Sequence, residues 1–215
     1  MWLRRFFFSS VGKKILMAVS GLFLILFLLA HALGNAAIYF GSEAFQTYAD
    51  GLHSLPVVVL LFGLGLLVIF LVHVSVGILL FLENRKESPS RYVVTPKESE
   101  KTFASSTMPY TGALIFIFVI IHYFGFGVNP GHIKVSLLVE QLLGNFFYSL
   151  FYLFSFCVLA LHLSHGFWSM LQTFGFNHPR FNDGIHKLTY IVPGFFLVFF
   201  GSIALYFMTG LGANY

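Results

Sequence analysis

Five stretches of the chain are almost unbroken apolar runs, and four more polar joints separate them. A helix needs about 20 apolar residues to cross the hydrocarbon core of a bilayer. Runs of that length cover residues 15–40, 55–82, 109–128, 145–171 and 188–209. The joints read as loops. The first, 41–54, holds the turn-prone Asp50-Gly51. The second, 83–108, is the only charge-rich stretch, Asn129-Pro130-Gly131 opens the third, and 177–187 forms the fourth. The pattern predicts an all-α integral membrane bundle of five transmembrane helices, one domain over residues 1–215.

Composition narrows the class. Hydrophobic residues make up 58% of the chain and charged residues 9%, where a soluble domain carries about 25% charged residues. Twenty-nine phenylalanines belong in contact with lipid rather than water. Residues 1–14 are basic and aromatic, and no small-residue cleavage site follows the first apolar run. Insertion through the chain's own helices is therefore expected, without a cleaved leader. Cys157 is the sole cysteine, so the chain has neither an internal disulfide nor a CxxCH site for covalent haem.

Charge sets the expected orientation. Arg4, Arg5, Lys13 and Lys14 precede the first run. Arg85, Lys86, Arg91, Lys97 and Lys101 fall in the second joint, and Arg180 and Lys187 in the fourth. If the helices alternate, these eleven of the twelve basic side chains share one side, and only Lys134 is opposite. The positive-inside rule then places the N-terminus in the cytoplasm and Tyr215 outside, in a multi-pass protein of the cell's inner (cytoplasmic) membrane. The pI of 9.2 is thus a mark of topology rather than of nucleic-acid binding.

Histidines inside the runs carry the candidate chemistry, because a titratable ring in hydrocarbon is costly without a partner. His31, His73, His122 and His162 come one from each of the first four helices, and His165 accompanies His162. At 1.5 Å per residue, His31 lies roughly 25 Å and His122 roughly 20 Å from the basic edge, while His73 and His162 lie roughly 15 Å from it. The four sort into an outer pair, His31 with His122, and an inner pair, His73 with His162. Two bis-histidine haems stacked across the membrane fit that arrangement, with imidazole as the axial ligand to iron.

Glycines sit on the ligand faces. Gly77 and Gly166 follow the inner histidines by four residues, and Gly34 and Gly125 follow the outer ones by three. A missing side chain there leaves clearance for a flat macrocycle, although glycine also packs membrane helices together. Interhelical hydrogen bonding is the plainer role for any single histidine. A non-haem site would need all four at one depth, with carboxylates nearby. His165 competes with His162 but points about 60° away along the helix, and could instead bond a propionate or a neighbouring helix.

The motifs Phe27-Leu28-Leu29-Ala30-His31-Ala32-Leu33-Gly34-Asn35, Leu71-Val72-His73-Val74-Ser75-Val76-Gly77, Val119-Ile120-Ile121-His122 and Leu161-His162-Leu163-Ser164-His165-Gly166-Phe167-Trp168-Ser169 resemble the dihaem cytochrome b subunit of succinate:quinone and fumarate:quinone oxidoreductases. The opening Ser9-Ser10-Val11-Gly12-Lys13-Lys14 is similar to that family's start. The resemblance spans all five helices, and the fourth-helix motif is its most specific part. It implies a membrane anchor and electron-transfer subunit with two haem b groups. An FAD-containing flavoprotein and an iron–sulfur subunit would bind the cytoplasmic face, and a membrane quinone (menaquinone or ubiquinone) would exchange electrons with the haems. Carried over, His73 and His162 hold the proximal haem and His31 and His122 the distal one. Some members have a glutamate two residues before the ligand matching His162. This chain has Ala160 there, which argues against that particular proton route.

In that family quinone reacts near the distal haem. On the outer side the first joint offers Glu43, Asp50 and His53 as proton-exchanging groups, with His53 the best placed. Glu43 and Asp50 are also ordinary polar loop residues by type. Lys13, Lys14, Lys101 and Lys187 are available to propionates or to the iron–sulfur partner, or simply snorkel. Two other classes compete: the cytochrome b subunit of a hydrogenase or formate dehydrogenase, which the fourth-helix motif fits less well, and a haem-free anchor or transporter. No broken-helix signal at mid-membrane favours transport.

Overall fold

The computed structural model describes residues 2–7, 9–86, 103–128, 133–176, 178–212 and 215. Among these residues eight α-helices follow one another: α1 (Trp2–Phe7), α2 (Ser10–Asn35), α3 (Ser42–His53), α4 (Pro56–Lys86), α5 (Phe103–His122), α6 (Val135–Leu143), α7 (Phe146–Thr173) and α8 (Asn182–Met208). There is no strand among the described residues. Five segments are long and apolar enough to cross a membrane: Ser10–Phe40, Pro56–Lys86, Phe103–Gly127, Phe146–Thr173 and Asn182–Met208. The chain is a multi-pass helical membrane protein.

Local signals set the helix ends. The Ser9 hydroxyl accepts from the Gly12 N–H at 3.0 Å and donates to the Phe6 carbonyl at 2.6 Å, so one side chain closes α1 and opens α2. The Asn145 side chain caps α7 by accepting from the Tyr148 N–H at 3.1 Å. Gly175 (φ 83°) and Gly210 (φ 79°) stop α7 and α8 with the left-handed turn that glycine adopts without strain. A 3-10 turn (Ala36–Phe40) extends α2 and a π turn (Tyr123–Gly127) extends α5.

The joints hold more helix than a loop reading allows. Residues 41–54 are not a loop: Ser42–His53 is an amphipathic helix with Phe45 and Ala49 buried, and Asp50-Gly51 lies in its last turns. In the third joint, Val135–Leu143 is helical with Ser136, Val139 and Leu143 buried. The third span begins at Phe103 and passes through Pro109, and the Ser106 and Thr107 hydroxyls both bond the Phe103 carbonyl in its first turn. The fifth starts at Asn182, with Asp183 in its first turn, where the helix dipole favours a negative charge. Arg91, Lys97, Lys101, Asn129-Pro130-Gly131 and Asn177 lie outside the described residues.

α2, α4, α5 and α7 form the bundle. α2 packs on α4 and α7, and α5 packs on α7 and touches α4 only briefly. α8 lies along α7, the most extensive helix pairing in the fold. The core gathers away from the N-terminus, where Phe196, Phe200, Ile203 and Phe207 of α8 meet Tyr152 and Phe156 of α7 and Ala32 of α2. Lipid is as apolar as these side chains, so packing and dispersion rather than water exclusion hold the helices together. At the other end, the Lys13 ammonium pairs with the Glu83 carboxylate and ties α2 to α4.

Candidate functional site

The structure brings the four span histidines together in two pairs. The His73 ring on α4 and the His162 ring on α7 have centroids 6.4 Å apart, with planes inclined at 70°. The His31 ring on α2 and the His122 ring on α5 are 5.7 Å apart and inclined at 84°. His162, not His165, is the ring beside His73. Among the described residues no three His, Cys, Asp or Glu side chains gather into a metal site. What the protein offers is two ligands at each of two levels.

Hydrogen bonds bridge to the first level from the neighbouring helices. Ser20 of α2 places its Oγ 3.2 Å from His73 Nδ1, and Thr111 of α5 places its Oγ1 3.1 Å from His162 Nδ1. His31 follows Ser20, and His122 follows Thr111, by eleven residues. Eleven residues of helix rise about 16 Å, which sets the separation of the two levels.

The second level is more aromatic. His122 Nδ1 lies 3.2 Å from the Tyr152 hydroxyl, which lies 3.1 Å from the Tyr148 hydroxyl. His31 packs against Phe27 and Phe200, with centroids 5.4 and 5.9 Å away. Tyr148 also lines an open groove with Gln141 and Asn145. A chain of two hydroxyls therefore links that groove to the half-buried His122 imidazole.

The glycines beside the histidines are close-packed. A Cβ at Gly34 would lie 2.3 Å from the Tyr48 hydroxyl oxygen, and one at Gly125 would lie 2.4 Å from that of Tyr148. The space at these two positions is taken by tyrosines. A Cβ at Gly77 would lie 3.4 Å from Met17 Cε, and one at Gly166 4.0 Å from Met108 Cε, so methionine tips lie over both.

The remaining polar positions stand apart from both pairs. Glu43, Asp50 and His53 are exposed on α3, where Asp50 accepts from the Gln46 amide at 2.7 Å. Lys13 is engaged with Glu83, while Lys14 and Lys187 are exposed. Near the basic end, Trp168 stacks on His186 at 4.2 Å.

Ser20, Thr111, Tyr48, Tyr148 and Tyr152 are contacts that the histidine depths alone do not point to. One signal in the sequence finds several of their neighbours. Met17, Ser20, Gly21, Phe27, His31 and Gly34 recur 91 residues later as Met108, Thr111, Gly112, Phe118, His122 and Gly125. His73 and Gly77 recur 89 residues later as His162 and Gly166. The contacts recur too, with Phe27 against His31 and Phe118 against His122 at 5.4 and 5.7 Å. The α2–α4 and α5–α7 halves are thus built alike around the histidines, and each pair takes one ring from each half.

An imidazole nitrogen sits about 2 Å from a metal it ligates, so two rings holding one metal from opposite sides have centroids about 6 Å apart. Both observed separations are close to that spacing. In three of the four rings Nδ1 is engaged by a hydroxyl, which leaves Nε2 as the nitrogen for a ligand. The donor set, two neutral imidazoles at each level in an apolar bundle, suits haem iron. Comparison with family models, with curated proteins and with solved structures finds no match to this chain.

Proposed function

We propose that this chain is the membrane-anchor, dihaem b electron-transfer subunit of a succinate:quinone or fumarate:quinone oxidoreductase. The observation that carries the proposal is the convergence of four half-buried histidines, one from each of four spanning helices, into two pairs at two depths. Four separate interhelical hydrogen bonds would not require facing pairs, nor the same ring nitrogen turned away in three of them.

In this reading His73 and His162 hold one haem b, and His31 and His122 hold the other. Haem iron, when bound, supplies reversible one-electron exchange. The chain's own residues do the rest. Ser20, Thr111 and Tyr152 orient the ligand rings, and the phenylalanines around them exclude water. The basic end, with Arg85, Lys86, Arg180 and Lys187, faces the cytoplasm and takes the iron–sulfur and flavoprotein subunits. Quinone exchanges electrons at the opposite end, near His31 and His122. There the Tyr148 groove, with the amides of Gln141 and Asn145, offers hydrogen bonds to a quinone oxygen. Glu43, Asp50 and His53 lie instead on the exposed face of α3.

The test is spectroscopic. The purified chain is expected to give a reduced-minus-oxidised spectrum of b type, with two haems per chain by pyridine assay. His162→Ala should lose one and keep the other, and His165→Ala should keep both. A colourless preparation with full helicity overturns the assignment. Retention of both haems in His162→Ala moves the ligand to His165. Co-purification with a flavin-containing partner that oxidises succinate tests the choice of complex.

A further inference from the structure

We propose that Ser20 and Thr111 are a matched pair of positioning residues, each locking one histidine of the His73–His162 pair with Nδ1 protonated and Nε2 bare. The inference rests on the dihaem reading and goes beyond it, to the groups that fix how two of the ligands are presented.

Hydroxyl bookkeeping assigns the ring protons. A serine or threonine hydroxyl has one hydrogen to donate and two lone pairs. Ser20 Oγ lies 2.7 Å from the Leu16 carbonyl and 3.2 Å from that of Met17, and carbonyls only accept. Its hydrogen is used there, so its contact with His73 Nδ1 at 3.2 Å makes the ring nitrogen the donor. Thr111 repeats the arrangement. Its hydroxyl reaches the Thr107 and Met108 carbonyls at 3.2 and 3.1 Å and accepts from His162 Nδ1 at 3.1 Å. A neutral imidazole protonated at Nδ1 carries its free lone pair on Nε2. Ser20 is 5% and Thr111 4% exposed, so no solvent competes for either bond.

The next residue on each helix completes the bracket. A Cβ at Gly21 would lie 3.5 Å from His73 Cε1, and one at Gly112 would lie 3.6 Å from His162 Cε1. Each ring is held at Nδ1 by a hydroxyl while its Cε1 edge lies against a helix surface free of side chain. Interhelical bonds to serine and threonine are ordinary in membranes. What sets these two apart is the repetition: the same ring atom, the same two neighbouring residue types and equivalent positions in both halves. Histidines that ligate metals nearly always donate their other N–H in this way, which raises their basicity and fixes their orientation.

The variants to make in the full chain are Ser20→Ala and Thr111→Ala, with Ser20→Thr and Thr111→Ser as conservative partners. His73→Ala identifies which haem signal belongs to this pair. Each alanine variant should shift that haem's low-spin paramagnetic resonance signal and raise its midpoint potential, because a less basic ligand favours ferric iron less. Each should also weaken its retention about 10- to 100-fold. The other haem's signal stays in place and reports an intact bundle. The conservative variants should keep the wild-type signature. Unmoved signals in both alanine variants, loss of both haems together, or equal shifts in the conservative variants overturn the positioning role. A wild-type chain without haem overturns the dihaem reading itself, and this inference with it.

Discussion

The two tyrosines beside the glycines give the sharpest contrast between single positions. At Gly125 the nearest obstacle to a Cβ is the Tyr148 hydroxyl oxygen, with Cζ at an ordinary 3.6 Å. At Gly34 the Tyr48 oxygen intrudes, but so does Cζ, at 2.8 Å. Gly125→Ala should therefore cost about 1–3 kcal/mol, the usual penalty for overpacking. Adding Tyr148→Phe should return much of that, since it removes the clashing atom. Gly34→Ala should cost a similar amount and gain little from Tyr48→Phe. Thermal unfolding in detergent, analysed as two double-mutant cycles, checks both; equal rescue at the two sites would contradict the geometry. At this scale the histidines were legible because a titratable ring in an apolar run stands out. Ser20 and Thr111 were not, because hydroxyls in membrane helices usually bond their own backbone. Tyr152 was hidden among many aromatic residues, and only the contact with His122 singles it out.

Between helices, the junction of α1 and α2 is the tightest approach. A Cβ at Gly12 would lie 2.0 Å from the Phe6 carbonyl oxygen. That atom is backbone and cannot swing aside. Gly12→Ala should open the junction at a local cost of about 1–3 kcal/mol. Limited proteolysis should cut faster around residues 6–9, while far-UV helicity of the spans is unchanged. Unaltered cleavage would mean that α1 and α2 separate readily without the substitution. The five long elements were legible within several residues because a bilayer imposes a length. The short ones were not. Reading for 20 apolar residues passes over α3 and α6, whose apolar positions follow helical period over only 12 and 9 residues. The Asp50-Gly51 turn signal was overridden by the packing of Phe45 and Ala49.

For the molecule as a whole, five crossings would put the two termini on opposite sides of the membrane. The basic residues at the start of α2, at the end of α4 and in and after the α7–α8 joint predict which side is which. A reporter fused before residue 1 should be active only in the cytoplasm, and one fused after Tyr215 only outside. The reverse pattern would invert the orientation and move the proposed partner subunits to the other face. The number of crossings follows from the apolar pattern, and the two histidine levels from depth. The in-plane arrangement does not, because nothing in an apolar run says which neighbour it prefers. α8 meets α7 where Phe200 stacks on Phe156, with Phe196 stacked on Phe200 in turn.

α8 covers α7, but α4 has no such companion among the described helices, and its apolar segment from Val57 to Val68 holds no buried residue, with Val57, Val58, Leu60, Leu61, Leu64, Leu67 and Val68 all exposed. Two halves alike in their histidine brackets thus differ in what stands outside them. Within the plane of the membrane the protein has a sheltered back and an open front. A hydrophobic molecule drifting sideways through the lipid would meet α8 before α7 from one direction, and α4 directly from the other.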